Sequence, residues 1–270
     1  MAAKITGTLP MRAKAVPAQG NPGQSSAKPA VQINIATPAY RSTYAGVYMT
    51  SIFDLLGRKP ANVGFSFSSV DYADIVMSRN YLISNFYYHK PDCDYLLFLD
   101  NDMGFKAELI AQMLALNQDV VGVIYPKRTL DLRQLQTSAG QDYDAAYAKA
   151  CSFIGTPLPG HPILNGFAQV DRIGTGILLI SRKAIDRMIT TLPEIVDGDQ
   201  IKGTPFASKF ENFLTPFNKV VENGRELSED FSFCHRWVKG CGGSIYANVN
   251  QPVKHVAEIV IETSYMASKG

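Results

Sequence analysis

The chain has few cysteines, no long hydrophobic run and none of the common glycine-rich phosphate motifs. Its four cysteines in 270 residues include no CxxC pair, so we expect buried or inert thiols rather than disulfides or a zinc site. No apolar stretch approaches the roughly 18 residues of a spanning helix, which predicts that the protein lacks a transmembrane segment. Neither G-x-G-x-x-G nor G-x-x-x-x-G-K-S/T occurs, which disfavours dinucleotide-binding Rossmann enzymes and P-loop enzymes.

Acidic residues are missing from the first 30 residues, which are rich in Pro, Gly, Ala, Ser and Gln. This composition predicts a flexible basic tail over residues 1–30. The net charge of +2 comes from this tail, because all 24 acidic residues lie in the body, which offers no obvious basic face for nucleic acid. The tail has no apolar signal segment, and its prolines and single arginine disfavour a transit peptide, so we expect a cytoplasmic protein.

The body has the composition of a globular protein, since 46% of the chain is hydrophobic and 19% is charged. From residue 31 onward the apolar pattern alternates between strands and helices. The predicted strands are 32–36, 63–66, 95–99 and 120–125, and the predicted helices are 43–56, 75–88 and 106–116. Three consecutive βα units indicate an α/β fold with a mostly parallel, doubly wound sheet flanked by helices. We expect one domain over residues 31–260 and a C-terminal tail over 261–270.

The regular pattern breaks after the fourth predicted strand. Residues 127–167 are polar and rich in turn formers, which predicts an insertion or a substrate loop. Residues 170–181 form one predicted strand, in which Gly174 and Gly176 indicate a bulge or a close backbone approach. The remaining predicted elements are a helix over 182–191, an irregular stretch over 192–225, a helix over 228–238 and a strand over 244–249.

An unbroken apolar run, Tyr95 to Leu99, is followed by two carboxylates one residue apart, Asp100 and Asp102. Such a run is typical of a parallel strand buried on both faces, and ligands bind at the carboxyl ends of these strands. Side chains at i and i+2 point the same way, so both carboxylates can approach one divalent cation or its waters. Oxygen ligands favour Mg²⁺ or Mn²⁺. The alternative is that the aspartates only end the strand and cap the next helix.

Two other segments carry groups that suit a nucleotide. Thr37, Pro38, Tyr40 and Arg41 follow the first predicted strand at the same sheet edge. The tyrosine ring could stack on a base and the arginine could contact phosphate, although Thr37 and Pro38 can equally just end the strand. Arg79 lies on a predicted helix, where a solvated surface arginine is the simplest interpretation.

The candidate general base is Asp230, in the segment Leu227-Ser228-Glu229-Asp230. The helix dipole alone explains acidic residues at a helix start, but a carboxylate there can also take a proton from an attacking hydroxyl if it faces the metal. Each of the four histidines is by default structural or exposed. His255 follows the last predicted strand and is the best placed to reach the metal, whereas His235 lies within a helix.

The order of these motifs along the chain resembles that of GT-A-fold glycosyltransferases. The similarity is greatest to the family 2-like group of bacterial and phage enzymes, is fainter to fungal mannan-polymerase subunits, and covers about residues 31–256. It is carried by Ile33 to Pro38, Ser78-Arg79-Asn80, Leu99 to Asp102, Gly174-Thr175-Gly176, Ser228-Glu229-Asp230 and His255. The resemblance implies a GT-A, Rossmann-like fold for residues 31–260. Asn101 replaces a commoner small residue, and 127–167 matches nothing in the family, which leaves the acceptor open.

The resemblance also implies a role for each candidate residue. Asp102 and His255 would bind the metal directly, while Asp100 would contact the nucleotide ribose or a metal-bound water. Asp230 matches the acidic base of inverting members. The residues that would line the nucleotide pocket are Thr37, Pro38, Tyr40 and Arg79. The implied cofactors are Mn²⁺ or Mg²⁺ and a UDP- or GDP-sugar donor.

These inferences predict metal-dependent, inverting transfer of a hexosyl or pentosyl group from a nucleotide-diphosphate donor to an acceptor hydroxyl. The acceptor could be a glycan, a lipid-linked glycan, a protein or a modified base, so nucleic acid is expected only as an acceptor. One alternative is an inactive module that binds a glycan or nucleotide-sugar. Another is a nucleotidyltransferase. Such enzymes normally have a basic glycine-rich loop after the first strand, and Ala39-Tyr40-Arg41 at that place is not one. A haloacid-dehalogenase-like phosphatase also has Asp-x-Asp after a buried strand, but that family has Thr or Val two residues after the second Asp. Gly104 occupies that position here, which disfavours this alternative.

Overall fold

The computed structural model describes residues 30–258 except 139 and 141. The predicted C-terminal tail, 261–270, and all of the predicted basic tail but residue 30 lie outside the described residues. The strands are β1 (Val31–Pro38), β2 (Val63–Val70), β3 (Tyr95–Leu99), β4 (Met103–Gly104), β5 (Val120–Val123), β6 (Tyr125–Leu130), β7 (Cys151–Ile154), β8 (Phe167–Val170), β9 (Ile177–Ser181), β10 (Val221–Glu222), β11 (Arg225–Glu226), β12 (Ile245–Asn248) and β13 (Lys254–His255). The α-helices are α1 (Gly46–Arg58), α2 (Ile75–His89), α3 (Ala107–Ala115), α4 (Leu132–Thr137), α5 (Tyr143–Ala150), α6 (Arg182–Thr191) and α7 (Glu229–His235).

Seven strands form the central sheet, in the order β2-β1-β3-β9-β5-β12-β8. The pairs β1–β2, β1–β3 and β5–β12 are parallel, whereas β9 and β8 run antiparallel to their neighbours. Five of the seven strands therefore point the same way, which confirms the predicted mostly parallel α/β sheet. The carboxyl ends of β1, β2 and β3 meet at one edge, because these three strands are adjacent and parallel.

Helices cover both faces of the sheet. One apolar layer contains side chains of α2, α6 and α7, and the other contains side chains of α1 and α3. Strand β3 supplies Leu96 and Phe98 to the first layer and Leu97 and Leu99 to the second. This alternation explains the unbroken apolar run, since a strand that is buried on both faces has no polar side to show.

The predicted boundaries of β3 and α6 are confirmed to the residue, and the other predicted helices and strands up to residue 123 end within a few residues of the observed ones. The prediction of one strand over 170–181 is wrong, because β8 ends at Val170 and β9 begins at Ile177. The loop between them is packed against Tyr125. A Cβ on Gly174 would lie 2.0 Å from the Tyr125 hydroxyl oxygen, so the predicted close backbone approach is confirmed.

Much of the described part of the segment predicted as an insertion or substrate loop forms helices and strands. Strands β6 and β7 pair antiparallel, and the chain between them forms α4 and α5. We call residues 125–154 the β6–β7 hairpin. Helix α4 buries no residue and α5 buries only Ala146 and Ala150, so neither carries the broad apolar stripe by which a helix is recognised in a sequence.

Two further sequence expectations can be compared with the described residues. Of the helices described, none has both the length and the apolar content needed to cross a bilayer. All four cysteines lie in the described range and are unpaired, three of them buried, as predicted. Burial raises the pKa of the Cys234 thiol to about 12, which keeps that thiol protonated and unreactive.

Candidate active site

A single buried arginine joins three elements at the carboxyl edge of the sheet. Arg79 of α2 is 3% exposed, and its Nη1 and Nη2 each donate to a different oxygen of Asp100 over 3.1 Å. Its Nε lies 3.6 Å from both Glu229 Oε1 and Asp230 Oδ1. Burial would lower the pKa of Arg79, but the three surrounding carboxylates raise it, so the guanidinium is always charged. The end of β3 and the start of α7 are thus held together through α2.

Asp230 lies in the first turn of α7, whose N-cap is Ser228. The hydroxyl of Thr175 donates to Asp230 Oδ1. Burial is the largest influence on Asp230 and, together with the neighbouring carboxylates, raises its pKa to about 6, although Arg79 and Thr175 act in the opposite direction. The side chain is still 18% exposed. A carboxylate that titrates near neutral pH and retains access to solvent has the properties of a general base.

Asp102 and His255 lie next to each other just beyond the end of β3. The β4–β13 pairing places His255 opposite Met103, and Val256 N donates to Asp102 O over 3.0 Å. His255 Nε2 lies 3.6 Å from Asp102 Oδ2. Burial lowers the pKa of His255, but the Asp102 carboxylate and the Pro126 carbonyl raise it by more. Burial raises the pKa of Asp102, whereas His255 and Arg128 lower it by more.

The structure brings together two of the three predicted metal ligands. Asp102 and His255 are adjacent, whereas Asp100 is turned toward Arg79, and among the described residues no three His, Cys, Asp or Glu side chains converge as a metal cluster. Asp102 Oδ1 is buried and has no hydrogen-bond partner among the described residues. An orphaned carboxylate oxygen beside an imidazole fits a divalent cation that takes its other ligands from substrate and water.

The four residues predicted to line the nucleotide pocket differ in exposure. Tyr40 is 51% exposed, whereas Arg79, Thr37 and Pro38 are buried. The Thr37 hydroxyl is hydrogen-bonded to Tyr48 Oη over 2.6 Å, and burial raises the pKa of Tyr48 to about 12. Of these four side chains only that of Tyr40 is exposed, while Thr37 and Pro38 are buried and Arg79 is hydrogen-bonded to Asp100.

Sequence reasoning missed Asp71, an exposed carboxylate at the end of β2. It accepts hydrogen bonds from Arg41 N over 2.7 Å and from Ser42 Oγ over 3.1 Å. Arg41 and Ser42 have φ values of 58° and 52°, in the left-handed region that residues other than glycine rarely adopt. Asp71 therefore holds a strained turn beside Tyr40. The signal was available in the sequence, as Asp71 follows the apolar residue Val70, but the predicted strand ended at Ser66.

Arg128, Glu229 and Thr175 were not predicted as site residues either. Arg128 contacts both Asp102 and His255 from the β6–β7 hairpin, which lies mostly within the segment 127–167 that was predicted as an insertion or substrate loop. Glu229 places a further negative charge beside Arg79, and the Thr175 hydroxyl donates to Asp230. The repeated pattern Gly174-Thr175-Gly176 was noted in the sequence, but nothing in it predicts that the hydroxyl points at a carboxylate on another element.

A cavity of about 960 Å³ lies beside this edge, between α1, α3 and residues 251–254. Its described lining includes Gly104 and Lys254 but none of the predicted catalytic, nucleotide-binding or metal-binding residues. We therefore place the candidate site at the Arg79 and Asp102 contacts, where titratable groups converge, and not in this cavity.

No family model matches the sequence, and no curated protein matches it. Among solved structures, A197 from STIV has a TM-score of 0.45 at 13% identity, covering 84% of this chain and 86% of its own. A glycosyltransferase involved in glycosylation of the major capsid of PBCV-1 has a TM-score of 0.32 at 12% identity, covering 66% and 71%. Mannose-1-phosphate geranyltransferase from Thermus thermophilus has a TM-score of 0.43 at 9% identity, covering 83% and 75%. Similarities at this level assign no family to the chain.

Proposed function

We propose that the protein transfers a sugar from a nucleoside-diphosphate donor to an acceptor hydroxyl in a metal-dependent, inverting reaction. The observation that carries this proposal is the buried Arg79 guanidinium, which links the strand-end carboxylate Asp100 to Asp230. It places a carboxylate with a pKa of about 6 in the same ion network as the end of a buried strand. A base of that pKa is matched to deprotonating a hydroxyl at neutral pH as that hydroxyl attacks.

In this proposal Asp230 accepts the proton of the acceptor hydroxyl. The acceptor oxygen forms a bond to the anomeric carbon while the bond from that carbon to the diphosphate oxygen breaks and its electron pair leaves with the diphosphate. Because attack comes from the face opposite the leaving group, the anomeric configuration inverts. Thr175 and Arg79 keep the carboxylate oriented from two sides, which pre-organises the base before the acceptor binds.

The proposed metal ligands are Asp102 and His255. A divalent cation held there would supply positive charge to the departing diphosphate. The His255 Nδ1 atom is tied to the Pro126 carbonyl, which fixes the ring so that Nε2 faces Asp102. The orphaned Asp102 Oδ1 supports this assignment, since a buried carboxylate oxygen without a partner is unfavourable unless something binds it.

The donor would lie against the first strand end. Tyr40 is exposed there and would offer a ring on which a base can stack, and Asp100 would contact the ribose or a metal-bound water. The proposed donors are UDP- or GDP-sugars carrying a hexosyl or pentosyl group. The acceptor class stays open among glycans, lipid-linked glycans, proteins and modified bases.

Thermal unfolding with nucleotides tests this proposal without knowledge of the acceptor. The protein is heated with UDP, GDP, CMP or ADP, each with Mn²⁺ or with EDTA. A ligand at about 100 times its Kd adds about 2.7 kcal/mol of stability, which for a chain of this size raises Tm by about 5 °C or more. We expect a Mn²⁺-dependent rise with one nucleotide. A rise with none of them would contradict the proposed donor site.

A further inference from the structure

Arg128 contacts both side chains of the proposed metal site. Its Nε donates to His255 Nε2 over 2.9 Å, and its Nη2 donates to Asp102 Oδ2. One edge of the planar guanidinium therefore bridges the carboxylate and the imidazole. The Arg128 side chain is 58% exposed, so it can leave this position without disturbing the core.

The other ring nitrogen of His255 decides what Nε2 can bind. Nδ1 lies 2.8 Å from the Pro126 carbonyl oxygen, and because a carbonyl oxygen only accepts, Nδ1 carries a hydrogen. In the neutral ring Nε2 then has a single lone pair, which accepts from Arg128. A metal ion bound at Nε2 needs that same lone pair. Arg128 and a metal ion therefore cannot occupy His255 together.

Asp102 is only half satisfied by Arg128. The guanidinium reaches Oδ2, while Oδ1 is buried and has no partner in the part of the chain that the structure describes. Arg128 thus neutralises the carboxylate but leaves one of its oxygens unused. A cation that took both this oxygen and Nε2 would satisfy groups that Arg128 cannot, which favours the exchange.

We propose that Arg128 and a divalent cation are alternative partners of Asp102 and His255, so that metal binding displaces Arg128 and loosens the β6–β7 hairpin that carries it. This inference rests on the proposed function, because it takes Asp102 and His255 as the metal ligands. His255 Nδ1 contacts the Pro126 carbonyl and not Arg128, so we expect this contact to persist when a metal binds Nε2. The loosening should therefore be confined to the hairpin beyond Pro126, so that metal occupancy is coupled to the mobility of the segment that carries Arg128.

Direct Mn²⁺ binding to the full chain without nucleotide, measured by calorimetry, tests the exchange. We compare the unchanged protein with Arg128→Met, which keeps the length of the side chain but removes its charge and donors. Arg133→Met, an exposed arginine on α4 of the same hairpin, is the matched control. Loss of a competing charge-assisted contact should tighten Mn²⁺ binding on the order of tenfold in Arg128→Met and leave Arg133→Met unchanged.

Hydrogen exchange of the β6 and β7 amides gives a second measurement, made on the unchanged protein and on Arg128→Met. In the unchanged protein Mn²⁺ should speed exchange in these strands, and in Arg128→Met exchange should already be fast and insensitive to Mn²⁺. Tighter binding without this change would indicate simple charge repulsion and overturn the exchange of partners.

Two outcomes separate the failure of this inference from failure of the proposed function. If Arg128→Met and the unchanged protein bind Mn²⁺ equally well, and Asp102→Asn abolishes binding, the metal site stands and the competition by Arg128 is wrong. If neither protein binds Mn²⁺, the metal site itself is wrong, and the inference is overturned with it.

Discussion

Arg79 and Asp100 form a bidentate ion pair in which both distances are 3.1 Å and the arginine is buried. The pair ties α2 to the end of β3, and the same guanidinium faces Asp230 at the start of α7. A residue that the sequence suggested as an exposed arginine, or as a direct nucleotide contact, is thus the internal counter-ion of two proposed functional carboxylates. Its loss should affect both folding and the site.

We expect Arg79→Met to lower the free energy of unfolding by about 3 to 5 kcal/mol, because it removes a buried charge and leaves three partly buried carboxylates without a counter-ion. Arg58→Met is the control, as Arg58 pairs with Asp54 and Glu108 at the surface and is 66% exposed. The control should change stability by less than about 1 kcal/mol. Urea unfolding of the two variants measures both values, and equal small effects would show that the Arg79 network does not hold the elements together.

The raised pKa of Asp230 predicts a pH dependence of stability. Its folded pKa of about 6 lies above its ordinary value of 3.8, so the folded state binds the proton more tightly than the unfolded state does. The contribution of Asp230 to stability is therefore fully present below pH 4 and is lost as the pH rises through 6, by about 2 to 3 kcal/mol in total.

Asp230→Asn removes this titration and serves to isolate it. The stability of Asp230→Asn relative to the unchanged protein should rise between pH 4 and pH 6 and level off above pH 7. Unfolding in urea at a series of pH values measures the difference. A difference that stays constant across this interval would mean that Asp230 titrates near its ordinary pKa.

Gly174 should resist substitution because Tyr125 occupies the space beside it. A Cβ there would lie 2.0 Å from Tyr125 Oη and 2.8 Å from Cζ, and Tyr125 is itself buried. Gly174→Ala should destabilise the protein by about 1 to 3 kcal/mol through overpacking.

Gly57→Ala is the matched control for Gly174→Ala. Gly57 lies in α1, and an added Cβ there meets nothing within 4 Å among the described atoms. This change should stabilise the protein by about 0.5 to 1 kcal/mol, since alanine favours a helix over glycine. Thermal or urea unfolding gives both values, and a harmless Gly174→Ala would show that the Tyr125 contact is not tightly packed.

Asp102→Asn should abolish Mn²⁺-dependent stabilisation by nucleotide. The amide that replaces the carboxylate is a weaker ligand for a divalent cation, and Asp102 is the carboxylate that lies beside His255. Asp199→Asn, in an exposed pair with Lys202, is the control and should keep the full rise in Tm. A rise in Tm that survives in Asp102→Asn would place the metal elsewhere.

The sequence predicted the central sheet well because its signals are local. The apolar run of β3 and the amphipathic pattern of α6 each lie within one element, so their ends could be located to the residue. The two strands β8 and β9 were merged because both are apolar, and the glycines between them are required by Tyr125, which is distant in the sequence.

The candidate site was predicted where the chemistry follows from position at the end of a strand or the start of a helix. Asp100 and Asp102 follow a strand, Asp230 lies at a helix start, and His255 was identified by its order along the chain. The contact of Asp102 with Arg128 depends on how the β6–β7 hairpin folds over the sheet edge. The sequence could not show this contact, nor that Arg79 would be buried, because both follow from tertiary packing.

Turnover of nucleotide-sugars is the measurement that tests the proposed reaction most directly. Release of UDP or GDP from UDP-glucose, UDP-galactose and GDP-mannose, with water as the acceptor, is followed in Mn²⁺ and in EDTA. We predict Mn²⁺-dependent release from one donor, a rate that rises with pH through about 6, and a loss on the order of 10² to 10⁴ in Asp230→Asn with donor binding retained. Equal rates for Asp230→Asn and the unchanged protein would contradict the role of Asp230, and binding without any release would instead support a nucleotide-sugar-binding module.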